Sequence, residues 1–139
     1  VPQGKDERMR VMLDTNVLVS ALVFGGKTKA LLEHLVLSDH EILVSEYVSE
    51  EFRAKLRQKW PGKAEKLIAL FGRMDFLFCK STDAILGTVR DKKDIPVLSD
   101  AIFNNADILL TGDKDFLEAN IAHPLVYSSA MLCDFLGIE

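Results

Sequence analysis

Residues 11–16 read Val-Met-Leu-Asp-Thr-Asn, three apolar side chains followed at once by a carboxylate. An apolar run of this length fits a strand buried on both faces, and Asp14 then stands where that strand ends. A carboxylate at such an end costs desolvation unless it is capped or neutralised by a cation. Asp14 is therefore a candidate functional residue, and the fold depends on whether the rest of the chain builds a sheet around this strand.

The chain beyond it alternates. Residues 17–24 stay largely apolar until Gly25-Gly26 interrupts them, and Thr28 is placed to cap a helix whose apolar face holds Ala30, Leu31, Leu32, Leu35 and Val36, ending near Ser38-Asp39. Residues 42–44 read as a second strand. Ser45 then caps a helix in which Val48, Phe52, Leu56 and Trp60 recur every fourth residue until Pro61-Gly62 stops it. A further amphipathic segment runs from Ala64 to about Met74, and residues 76–79 form a third strand. Asp94-Ile95-Pro96 starts a helix reaching about Ala106, residues 108–110 form a strand closed by Thr111-Gly112-Asp113, and a short helix leads to a strand over 125–127. Ser128-Ser129 caps a terminal helix. Continuous apolar strands alternating with helices predict an α/β fold, a parallel sheet covered by helices on both faces. Such sheets bind ligands outside the carboxyl ends of their strands, the edge on which Asp14 and Asp113 fall.

Composition sets the frame. The chain has 139 residues, enough for one domain, and its 48% hydrophobic and 27% charged content fits a soluble globular protein. The net charge of -4 disfavours nucleic acid unless the acidic groups gather at a cation-binding site. Cys79 and Cys133 form no metal or disulfide motif, which points to a reducing compartment. No apolar run approaches membrane-spanning length, so no membrane partner and a cytoplasmic location are expected. Residues 1–8 are polar and read as a loose leader or a segment left by cloning, with residues 9–139 as a single domain.

Four carboxylates stand where they can converge: Asp14 and Asp113 after strands, Asp94 at a helix start, and Glu51 beside the buried stripe of the second helix. Close carboxylates stay ionised only when a cation neutralises them, and an all-oxygen set without His or Cys selects a hard ion, Mg²⁺ or Mn²⁺. Each residue also has a structural alternative: Asp94 and either Asp113 or Asp115 as caps, and Glu51 as an i,i+4 partner of Lys55. Asp91, Asp100 and Asp107 are weaker candidates, Asp100 because it shares a helix with Asp94.

With these residues in view, the chain resembles the PIN-domain family, within it the branch of prokaryotic toxin components. The resemblance spans residues 9–136 and rests on MLDTNVLVSAL, SEYVSEEF, DIPVLSDAI and ILLTGDKDF in that order. It implies a three-layer α/β/α sandwich with a central parallel five-stranded sheet, and Mg²⁺- or Mn²⁺-dependent hydrolysis of RNA phosphodiesters. The acidic residues carry over to Asp14, Glu51, Asp94 and Asp113, with Asp115 as an outer or alternative ligand, while Asn16 and Thr111 support them. Glu50 competes with Glu51, which is preferred because it directly precedes Phe52. Asp100 departs from the family pattern and is read as exposed. The resemblance further implies a homodimer and an antitoxin protein as partner. Arg53, Lys55, Arg57, Lys59 and Lys114 are the candidate RNA contacts, joined by Lys27, Lys29, Lys92 and Lys93 near the metal edge.

Two rival readings remain at this level. A haloacid-dehalogenase-type phosphatase also places an Asp after its first strand, but it uses a second Asp where this chain has Asn16. A non-catalytic interaction domain would keep the fold without the chemistry.

Overall fold

The strand opened by residues 11–13 is β1, Arg10–Leu13, in a computed structural model that describes residues 7–138. The leader expected over residues 1–8 falls, for residues 1–6, outside the described residues. Val11, Met12 and Leu13 are fully buried because β1 is the middle strand of a five-stranded parallel sheet of order β3-β2-β1-β4-β5. Its neighbours are β2 (Glu41–Ser45) and β4 (Ile108–Leu110), registered so that Met12 faces Leu43 on one side and Leu109 on the other. The edges are β3 (Leu77–Cys79) and β5 (Leu125–Tyr127), and both leave apolar side chains partly exposed, as edge strands do.

Helices cover the sheet. Thr15–Val19 forms α1 and continues directly into a π-helical turn, Ser20–Phe24. The next helix, α2, spans Gly26–Leu37, so Thr28 lies inside it and is not its cap. The reason is Gly25, whose φ of 76° and ψ of -126° are open only to glycine and reverse the chain three residues earlier than the sequence suggests. The helix α3, Glu46–Lys59, begins as expected, with Ser45 Oγ accepting from the backbone N–H of Val48 at 3.2 Å. Its stripe of Val48, Phe52 and Leu56 is fully buried against α4 (Ala64–Gly72), where Phe52 meets Phe71 at a centroid distance of 4.8 Å.

A 3-10 turn, Lys92–Asp94, feeds α5 (Ile95–Phe103), which ends three residues before the expected Ala106 because Asn105 turns into the left-handed region at φ 55°. A single-turn helix α6 (Lys114–Leu117) and the terminal α7 (Ser129–Leu136), capped by Ser128, complete the order. The sequence expectation that Asp100 is exposed is wrong. It is 0% exposed on α5, with Oδ2 accepting from Ser81 Oγ at 2.6 Å and Oδ1 from Thr82 N–H at 2.9 Å, which ties the segment after β3 onto α5. Asp107 is likewise structural, accepting from Arg10 N–H at 2.8 Å at the start of β1.

The strand order reverses at β1. The chain steps outward from β1 through β2 to β3, then crosses back to β4 on the other side of β1. The crevice between the carboxyl ends of β1 and β4 is a topological switch point, where open α/β sheets bind their ligands.

Candidate active site

Asp14 sits at that crevice, 6% exposed. Its Oδ1 accepts from Thr15 N–H at 2.8 Å and its Oδ2 accepts from Thr111 Oγ1 at 2.8 Å across the switch point. Burial pushes the Asp14 carboxyl above its usual range, the two hydrogen bonds pull it back, and the charges of Glu51 and Asp113 push it further up. Thr111, fully buried at the exit of β4, also accepts from the backbone N–H of Asp113 at 3.0 Å. One hydroxyl thus fixes the spacing between Asp14 and Asp113.

Asp113 caps α6 by accepting from Asp115 N–H at 2.8 Å, which occupies one of its two oxygens. Asp94 behaves differently from its expected cap role. Its backbone is already helical and its side chain caps nothing, because Asp91 takes that duty by accepting from Lys93 N–H at 3.0 Å. Asp94 Oδ2 is sealed from solvent with no hydrogen-bond partner among the described residues. Burial, with the adjacent Asp113 carboxyl and the charges of Asp14 and Asp91, pushes the Asp94 carboxyl up to about 7.

Glu51 reaches the site from α3, accepting a short hydrogen bond from Thr15 Oγ1, so it is tied to the residue that follows Asp14. Glu50 instead lines a separate 430 Å³ hollow with Glu46, Arg53 and Lys80, a placement that favours Glu51 as the member of the acidic group. The expected Glu51–Lys55 pair does not form. Lys55 Nζ donates to Asn16 Oδ1 at 2.9 Å and holds that exposed amide against α3.

The acids do not converge quite as the sequence ranks them. Among the described residues, Asp91, Asp94 and Asp115 each offer an oxygen within 4.8 Å of the others. Asp91, a weaker candidate in the sequence, therefore joins the group, and Asp115 approaches from α6 while also contacting Arg90. Arg90 is missing from the sequence-based set of basic residues. Of that set, Arg57 is engaged by Glu65 at 3.1 Å and Arg53 lines the outer hollow, whereas Lys59 and Lys114 are exposed.

The donors fit a hard divalent cation. All are carboxylate oxygens, and the orphaned buried Oδ2 of Asp94 lacks the partner that a buried anion requires. The same crowding predicts how the cation-free protein responds to pH. Because burial and crowding raise the folded-state carboxyl of Asp94 from its ordinary 3.8 to about 7, protonation favours the fold. Its contribution is full below about 3.8 and is lost as pH rises from there through about 7. His40 has the opposite sign: buried, with Nδ1 accepting from Met9 N–H at 3.0 Å, it is depressed below 6.5, so its contribution is lost as pH falls below that value. In chelator the two effects oppose one another on the acid side of neutrality, and above about 7 Asp94 adds no further slope to the urea midpoint. In Asp94→Asn the loss of stability that Asp94 causes between pH of about 4 and about 7 should be absent; an unchanged slope over that range would contradict the crowding of this carboxyl.

A protein-family model described as the PIN domain matches residues 10–115. No curated protein sequence matches the chain at significant similarity. A chain in the crystal structure of VapBC2 from Rickettsia felis bound to a DNA fragment from their promoter shares the fold, with a TM-score of 0.69 and 19% identity over 86% of this chain and 98% of that one. The five-stranded parallel sheet with the acids gathered at its β1–β4 crevice, and a match covering 106 residues (10 through 115), identify this chain as a member of the PIN domain family.

Proposed function

We propose that the chain is a Mg²⁺- or Mn²⁺-dependent endoribonuclease acting as the toxin of a toxin–antitoxin pair. The observation that carries this reading is the gathering of Asp94, with its unpartnered buried oxygen, beside Asp113 and Asp14 at the switch point of a PIN fold. Family membership replaces the haloacid-dehalogenase alternative. The likeness to a chain of the VapBC2 assembly supports the pairing with an antitoxin protein, and the family resemblance supports a cytoplasmic homodimer.

In this reading Asp14, Asp94 and Asp113 would hold the cation, with Asp91 and Asp115 beside Asp94 and Glu51 tied to Thr15 next to Asp14. A bound divalent ion supplies activation of water and neutralisation of charge on the phosphate. Thr111 fixes Asp14 in its ligating orientation, and Thr15 holds Glu51 toward the same edge. Asn16, clamped by Lys55, shapes the rim over which RNA enters. Lys55, Lys59, Lys114 and Arg90 offset the repulsion between the acids and the RNA backbone, and Arg53 and Arg57 serve farther along α3. The products carry 5′-phosphate and 3′-hydroxyl ends.

Incubation of the full chain with end-labelled single-stranded and structured RNA, in Mn²⁺, Mg²⁺ or chelator, tests this. Cleavage that requires the metal is expected. Undiminished cleavage in chelator, or none under any condition from protein that is folded and binds metal, overturns the reading.

A further inference from the structure

Tyr47 stands one helical turn before Glu51 on α3, two residues after β2 ends, which sets it on the carboxyl edge of the sheet beside the acidic group. It is half-buried and packed against the core. Its backbone is held firmly: Tyr47 N–H donates to Ser81 Oγ at 2.9 Å, and that hydroxyl donates to the buried Asp100 at 2.6 Å. Glu46 adds a second strut by accepting from Ser81 N–H at 2.9 Å. Asp100, which departs from the family pattern, thus helps to fix the first turn of α3, from which the side chain of Tyr47 departs.

The phenol itself is free to act. Its hydroxyl has no hydrogen-bond partner among the described residues and is not sealed from solvent. Burial, then the charges of Glu51, Asp94, Asp14 and Asp100, all push the phenol above its ordinary value, so the oxygen lies within the field of these four carboxylates and keeps its proton. A neutral donor beside crowded carboxylates suits an anionic ligand, because it adds attraction for phosphate without competing for the cation.

We propose that Tyr47 is a substrate-contacting residue whose O–H donates to a non-bridging oxygen of the RNA phosphate brought to the acidic group. The role rests on the ribonuclease reading and adds to it a residue that binds the substrate and not the metal.

The test compares the full-length wild type with Tyr47→Phe on a single-stranded RNA, measuring kcat and KM in Mn²⁺ and binding of the same RNA in Ca²⁺. Loss of one hydrogen bond to a charged acceptor lowers kcat/KM by about tenfold to a hundredfold, with an unchanged unfolding midpoint. Sulfur in place of one non-bridging oxygen at the cleaved phosphate should slow the wild type more than the variant, since the variant has already lost the contact. A kcat/KM within about twofold of wild type, or sulfur effects equal in both proteins, overturns the role of Tyr47 while leaving the ribonuclease reading intact. Wild-type protein that neither binds nor cleaves RNA overturns both. Should Tyr47→Phe fail to fold, 3,5-difluorotyrosine at the same position keeps the packing and makes the phenol more acidic. Activity falling at lower pH than in wild type then supports the contact, and superposable pH profiles overturn it.

Discussion

Replacing Asp14 by Asn is expected to reduce RNA cleavage by about a hundredfold to a thousandfold, because a metal ligand supplies several kcal/mol of charge stabilisation where the phosphate reacts. The fold should survive. Asn keeps the shape of Asp14, removes a carboxylate that burial already disfavours, and retains an oxygen that accepts from either Thr15 N–H or Thr111 Oγ1. Two measurements separate a ligand from a structural acid: the rate of cleavage, and the rise in melting temperature on adding Mn²⁺. Wild type should gain thermal stability from the ion and Asp14→Asn should gain little. Equal gains, or equal rates, would remove Asp14 from the site.

Phe52→Ala should cost about 3–5 kcal/mol of stability, a large share of the roughly 5–15 kcal/mol available to such a domain. Phe52 is fully buried, and Phe71, its partner at 4.8 Å, also packs on Phe78 at 5.2 Å, so truncation opens a cavity inside an aromatic cluster that joins α3, α4 and β3. Since Glu51 is the preceding residue on α3, the same change should loosen its hold on Thr15. Urea denaturation gives the stability loss, and the comparison that matters is Glu51→Gln, which should impair activity while leaving the midpoint almost unchanged. A shift below about 1 kcal/mol for Phe52→Ala would mean that α3 is not anchored through this ring.

Much of this was legible in the residues. The continuous apolar character of β1, β2 and β4 follows from burial on both faces, and the four-residue recurrence on α3 follows from its narrow contact with the core. What was not legible lies mainly in residues 80–91, which have no periodic pattern. They carry Ser81, Arg90 and Asp91, and their placement is set by long-range bonds to Asp100 and Ser99 that no local signal announces. Asp100 misled because a carboxylate in a helix is usually solvated, and only tertiary donors make its burial tolerable. For Asp94 the missing signal was Asp91, three residues earlier, which relieves it of capping.

The hydroxyl of Thr111 has a consequence for the traffic of protons. Its single hydrogen is committed to Asp14, and the hydrogen of Thr15 is committed to Glu51, so neither side chain has one to release when an RNA strand breaks. Within the proposed reaction the proton taken up by the departing 3′-oxygen must then come from elsewhere, from water or from another group at the cleft. Both threonines act as fixed struts and not as proton carriers, and the exposed side chains of Glu51 and Asn16 beside them give water a route to the cleft.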